Sequence, residues 1–199
     1  MARNRARHLR SAQEIIITVG PQATIEEFAD HAEVAVATLY KHFGSKEGMV
    51  LAAVEDALER WEQWMLQVVA PISDPLEQLV ASLRVILRTR DTRPVEGAIM
   101  ARAHQANMAP LDHLGAGFQQ HVAAVVQQGL LPADHIDRRA RALLAVVGDE
   151  GVRQMTTPTA TPGEADTVLE WALPIMGISA AKAKRLAHAP LPPLEVPEA

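Results

Sequence analysis

The side chains best suited to chemistry gather in one short run, VATLYKHFGSKEGM, residues 36–49. It holds the chain's only tyrosine, Tyr40, one of its three phenylalanines, Phe43, and Lys41, His42 and Lys46, with no acid before Glu47. Thr38 and Tyr40 can donate hydrogen bonds to phosphate oxygens, and Lys41, His42 and Lys46 can add charge-assisted contacts to the same oxygens. Val36 and Ala37 can only touch a thymine methyl or pack against sugar. The chemistry this predicts is noncovalent: holding a polyanion. The first ten residues add four arginines and no acid. Of these, Arg3, Arg5 and Arg7 could enter an adjacent minor groove or meet phosphate; a disordered tail is the alternative.

Histidines 104, 113, 121 and 135 raise a second possibility, metal or proton-transfer chemistry. Helical metal sites offer ligands at i, i+3 or i+4, whereas His113 and His121 are eight apart and Asp112 is adjacent to His113. No HExxH, Gly-rich phosphate loop or GxSxG is present. The expectation is no catalytic residue, no metal and no cofactor. The chain has no cysteine, which excludes disulfides and thiolate metal sites and fits a reducing compartment.

Helices must position these groups. Hydrophobic residues make up 48% of the 199-residue chain but aromatics only 4%, a composition that favours packed helices over a β-sandwich. Leu9, Ala12, Ile16 and Val19 predict a first helix over residues 4–19, closed by Gly20-Pro21. Thr24-Ile25-Glu26-Glu27 reads as a capping box opening a short helix to about His31. A tight connection, residues 32–35, leads to a helix over 36–43, stopped by Gly44. Ser45 then caps a long helix over 46–69, with Pro71 beyond it; 24 residues would span roughly 35 Å. Further helices are expected at about 75–91, 94–106, 110–129, 134–156 and 163–178, the last kinked at Pro174. Residues 24–43 thus read as helix, turn, helix, with the second helix entering a DNA major groove. Leu39 and Phe43 would face inward onto Phe28 and Ile16. Thr24, which opens the first helix of the pair, is counted with the DNA-contacting set.

Here the sequence resembles the tetracycline-repressor-like (TetR) family of bacterial regulators. The likeness rests on Thr24-Ile25-Glu26-Glu27-Phe28-Ala29 and on Ala37-Thr38-Leu39-Tyr40-Lys41-His42-Phe43-Gly44-Ser45-Lys46-Glu47, and covers about the first 50 residues. It implies an all-α protein: a three-helix DNA-binding domain over residues 1–46, then a helical ligand-binding and dimerisation domain over 47–188. A Pro-rich tail over 189–199 is expected to be disordered. It also implies a homodimer on a palindromic operator, released by a small-molecule inducer. The turn departs from the family pattern of Gly, hydrophobe and Ser or Thr, showing Glu33, Val34 and Ala35 instead. A non-Gly residue at positive φ costs roughly 1 kcal/mol, and a missing Ser or Thr cap about 0.5–2 kcal/mol. A helical binding module with weakened DNA binding is therefore the alternative reading.

Trp61, Trp64 and Met65, with Leu83, Leu87, Met100, His104, Phe118, His121 and Val125, are the candidates for an apolar effector pocket with a few polar groups. Plain core packing is the competing account for each. Ile136, Ala140, Leu143, Leu144, Val147, Gly151 and Val152, with Val168, Leu169, Trp171, Ala172 and Ile175, suggest a four-helix dimer seam. Closing the chain's own core is the alternative. Charge is uneven: residues 1–46 carry six Lys/Arg and five Asp/Glu, the remainder thirteen and nineteen. A basic end on an acidic body fits a nucleic-acid-binding head. With no signal peptide and no apolar run of roughly 18 residues, a cytoplasmic protein away from the membrane is expected.

Overall fold

The structure is a computed structural model that describes residues 2–106, 108 and 112–194; the side chains of residues 2, 3 and 112–116 lie outside that description. The described residues form helices joined by short turns, with no strand among them. The chain divides into two compact units, residues 1–62 with 95–110, and residues 63–94 with 111–199.

In the first unit, α1 (Ala2–Thr18), α2 (Ile25–His31) and α3 (Val36–Phe43) precede the long α4 (Lys46–Val69). Leu9, Ala12, Ile15 and Ile16 are buried along α1, with Phe28 and Ala29 from α2 and Leu39 from α3. Each large apolar side chain removed from water contributes about 1.5–3 kcal/mol. Gly20 ends α1 at φ 117°, a value that favours glycine. The predicted capping box opens α2: Glu27 N–H donates to Thr24 Oγ1 at 3.2 Å, and Thr24 N–H donates to the Glu27 carboxylate at 2.7 Å. Gln13 joins α1 to α4, donating to the Ala53 carbonyl at 2.9 Å and to Asp56 at 2.8 Å, and accepting from Arg60 at 3.1 Å. Pro94–Gln105 forms α7, and Arg102 Nε donates to the Ile17 carbonyl at 3.3 Å.

The second unit contains α5 (Pro75–Ile86), α6 (Thr89–Thr92), α8 (Asp112–Gln127), α9 (Ile136–Thr156), α10 (Pro162–Ala172) and α11 (Ala180–Ala187). Its core joins Leu76, Leu79, Leu83 and Leu87 to Val125, Leu143, Val147, Leu169 and Leu186. The helix expected over 75–91 breaks after Ile86. Thr89 Oγ1 donates back to the Ile86 carbonyl, and the short α6 sends Arg90 to the carbonyls of Gln154, Thr157 and Ala160, each at 2.9 Å. The helix expected over 163–178 ends at Ala172. Pro174 has no N–H to continue it, so the chain passes through a 3₁₀ turn, Leu173–Met176, capped by Gly177 at φ 82°. Beyond it lies α11, which the periodicity reading missed although Ser179 caps it and Ala and Lys fill it.

Part of the expected tail is described: the Ala189 carbonyl accepts from Arg84 Nη1, while residues 195–199 lie outside the described residues. Five of the twelve residues expected at the dimer seam, Ala140, Leu143, Val147, Leu169 and Ala172, are buried within this unit's own core. Trp171, at 71% exposure, and Val146 are left outside it, with Leu144, Val152, Val168 and Ile175 half-buried.

Candidate nucleic-acid interface

The turn before α3 holds the conformation its sequence makes costly. Glu33 sits at φ 54°, in the left-handed region, and Ala35 occupies the N-cap position with no side-chain hydrogen bond. Only Leu39 of α3 is fully buried. What fixes the helix is its far end. Gly44 turns at φ 77°, and Ser45 Oγ accepts from Gly48 N–H at 2.9 Å to cap α4. A Cβ on Gly48 would lie 2.5 Å from the Phe43 carbonyl oxygen, so glycine there lets α4 start against the end of α3.

Tyr40 is 45% exposed, Ala37 and Lys41 are exposed, and Val36, Thr38, His42 and Lys46 are half-buried. Thr24 is exposed but already engaged in its capping box. The described acid–base pairs of this unit are His31–Glu14, Arg60–Asp56 and Arg60–Glu96. Lys41, Lys46, Arg7 and Arg10 have no such partner among the described residues. Lys46 lies at the start of a 24-residue helix.

Arg5 and Arg7 lie on α1, as the helix expected over residues 4–19 places them; the Arg3 side chain lies outside the described residues. The Arg5 guanidinium lies over the Phe43 ring, 5.4 Å from its centroid. Phe43 is half-buried, less than its expected inward position suggests. One turn along α1, His8 is 4% exposed, its ring centroid 5.3 Å from that of His42 and its Nδ1 without a hydrogen-bond partner. Burial, then the neighbouring His42 and Arg7 charges, hold its pKa below the ordinary histidine value.

Sequence reasoning missed His8, Gln13 and Gly48. His8 falls on the buried stripe of α1 with Ala12, Ile15 and Ile16, a spacing that could have found it. The second glycine of GSKEGM was the signal for Gly48. Gln13 had none, since its partners Ala53, Asp56 and Arg60 are some 40 residues away.

The effector candidates separate by unit. In the first, Trp61 and Met100 are buried and His104 is exposed. In the second, Leu83, Leu87 and Val125 lie in the close-packed core, Trp64 and Met65 are buried, and Phe118 and His121 are half-buried. Burial lowers the His121 pKa, opposed by its hydrogen bond to the Pro75 backbone. Arg93 was not anticipated: its guanidinium lies 4.5 Å from the Trp64 ring centroid. Among the described residues no group of three metal-ligating side chains occurs, and His113 lies outside the described side chains. No helix of the described residues is long and apolar enough to cross a membrane.

Two short helices, α2 and α3, joined by a tight turn and packed with α1, form a helix-turn-helix unit at the head of an all-α fold. The family model described as bacterial regulatory proteins, tetR family, matches residues 9–53, which span the whole of this motif. An uncharacterized HTH-type transcriptional regulator of Mycobacterium tuberculosis, strain H37Rv, is 28% identical over 195 residues, covering 92% of this chain and 91% of its own length. Among solved structures, RolR in complex with resorcinol superposes with a TM-score of 0.74 at 22% identity, over 98% of this chain and 97% of that one. The TetR-family repressor FadR of Thermus thermophilus, in complex with lauroyl-CoA, gives 0.64 at 20%, over 88% and 96%. Over residues 9–53 the chain is thus similar to the tetR family of bacterial regulatory proteins, and over nearly its whole length to an HTH-type transcriptional regulator.

Proposed function

We propose that the protein is a cytoplasmic repressor that binds a palindromic operator as a homodimer and is released by a small-molecule inducer. The observation that carries this is the set of unpaired cations at the end of α3 and the start of α4. Lys41 and Lys46 have no counter-charge among the described residues, and Thr38, Tyr40 and His42 stand on the same short helix as Lys41. These five would hold phosphates, with Val36 and Ala37 against the bases, Thr24 at the start of α2, and Arg3, Arg5 and Arg7 on α1 beside them. Residues 1–46 would act as the DNA-binding domain and 47–188 as the effector and dimer domain. The chain does no chemistry on this reading.

The effector is assigned to the second unit, near Trp64, Phe118 and His121. That the protein takes an effector at all is supported by the resorcinol and lauroyl-CoA complexes of the structural neighbours; the placement rests on the half-buried Phe118 and His121. The half-buried and exposed apolar groups of α9 and α10, Leu144, Val146 and Trp171 among them, would form the seam between copies. Leu144→Glu should place an unpaired charge there and dissociate the dimer in sedimentation, whereas a wild-type monomer at micromolar concentration would remove the dimer from this reading.

The strained Glu33 and uncapped Ala35 favour a second reading, a helical binding module with weakened DNA binding. One experiment separates the two: selection of genomic fragments with purified protein, then affinity for the selected duplex against salt. Sequence-specific binding that weakens steeply with salt supports the repressor. Weak binding, indifferent to sequence, supports the module. An inducer found by thermal-shift screening should bind about a hundredfold more weakly when operator is present, roughly 2.7 kcal/mol of coupling, and by reciprocity should weaken operator binding equally.

A further inference from the structure

The contact between α1 and the last turn of α3 is built from cations and histidines, with no acid in it. Arg5 stacks on Phe43 and His8 packs its ring against His42, so residues one turn apart on α1 grip two successive residues of the recognition helix. Elsewhere on α1 the chain shows the opposite choice: His31 of α2 meets Glu14 at 2.7 Å, a pairing that a proton on the histidine strengthens. The groups that act on His8 are Arg7 from its own helix and His42 from α3; neither α2 nor α4 adds a charge to that set. The His8 ring is nearly inaccessible to water and its Nδ1 has no partner, so a second ring proton would find neither solvent nor an acceptor there.

We propose that His8 is a positioning residue for the recognition helix and that its contact with His42 makes DNA binding proton-sensitive; this rests on the DNA-binding reading above. The logic is linkage. Burial and the neighbouring His42 and Arg7 charges oppose a proton on His8, whose ring lies 5.3 Å from that of His42 between centroids. A proton that enters His8 therefore works against the contact that places the helix, and must leave for the helix to dock. Since burial and like charges depress the His8 pKa, the effect belongs to the range below the ordinary histidine value of about 6.5.

The test uses the full chain and a duplex recovered by genomic selection. Affinity is measured from about pH 8 to about pH 5.5 for wild type and His8→Phe, each normalised to its own value at the alkaline end. Relative to His8→Phe, wild type should lose about twofold or more at the acid end, the loss expected when the pH reaches the pKa of a single linked proton. Parallel profiles would overturn the proposal while leaving DNA binding intact. Absence of binding by either protein at every pH would overturn the functional reading, and this proposal with it. In case His8→Phe does not fold, imidazole NMR of the wild type provides the second arm. His8 should titrate below the ordinary histidine range, and His42→Asn should move it upward. An ordinary His8 titration, unmoved by His42→Asn, would overturn the proposal.

Discussion

Arg84 and Arg88 in the second unit and Lys41 and Lys46 in the first carry the same charge in opposite settings. Arg84 donates twice to the Asp166 carboxylate, both at 3.0 Å, and Arg88 twice at 2.9 and 2.6 Å; all three side chains are buried or nearly so. Their charge is consumed in joining α5 and the turn after it to α10. Lys41 and Lys46 meet no acid among the described residues, and the helix carrying Lys41 is anchored by one fully buried side chain. A cation bonded inward holds a fold together. A cation left unpaired on a short, strained helix costs the fold little and suits an external polyanion. The difference separates scaffold from interface more sharply than net charge does.

The largest effect should come from breaking the scaffold side. Burial pushes the Asp166 carboxyl up, and the hydrogen bonds and charges of Arg84 and Arg88 outweigh it, so it ionises below the ordinary aspartate range. Asp166→Ala would leave two arginines without a counter-charge and should destabilise the chain by about 3–5 kcal/mol in urea unfolding. Acid should do the same more gradually. A folded-state pKa below the unfolded value of about 3.9 means that the stabilisation is complete above that pH and is lost as the pH falls through the folded value. A loss within about 0.5 kcal/mol for Asp166→Ala, the range of ordinary surface substitutions, would show that the arginines hold nothing together.

The two settings were not equally legible in the sequence. The helix-turn-helix could be read because its determinants are local: the capping box Thr24–Glu27, the Gly44 stop and the Ser45 cap all act within four residues. The scaffold could not, because Arg84 and Asp166 are 82 residues apart and no periodicity pairs them. The same distance hid Gln13 against Asp56 and the reach of Arg90 to three carbonyls. His8 lies between these cases, on a legible buried stripe but with a partner on another helix.

On the interface side, the junction should be the most sensitive point. Gly48→Ala places a methyl 2.5 Å from the Phe43 carbonyl oxygen, and backbone rather than a flexible side chain must give way. A loss of about 1–3 kcal/mol in stability is expected, with weaker DNA binding because the end of α3 moves. Unchanged melting and unchanged affinity would mean that α4 tolerates a shift and that the close approach does not set the recognition helix.

Removing one free cation should do less. Lys46→Ala leaves a residue with no internal partner missing from the start of α4, so stability should stay within about 0.5 kcal/mol. Affinity should fall alike for every duplex, and the dependence of log K on log salt should flatten by about one unit. An unchanged slope would place Lys46 away from phosphate. A fall in stability comparable to that of Asp166→Ala would erase the contrast between the two settings.

The smallest effect concerns Glu33, where strain and charge coincide. Its φ of 54° costs roughly 1 kcal/mol in a non-glycine residue, and its exposed carboxylate would be repelled by DNA lying along α3. Glu33→Gly removes both penalties, but glycine also frees the unfolded chain by about 0.4–1 kcal/mol, so the net gain in stability should lie between about zero and 1 kcal/mol. Glu33→Gln removes the charge and keeps the backbone strain, which separates the two contributions. Both variants should bind the selected duplex about two- to fivefold more tightly, corresponding to the 0.2–1 kcal/mol ordinary for an exposed charge, and the gain should shrink as salt rises. Only the glycine variant should melt differently. Tighter binding by Glu33→Gly alone would assign the effect to the turn's backbone rather than to repulsion. No change in either would place Glu33 off the DNA, and the free cations at the end of α3 would then mark the boundary of the interface on that side.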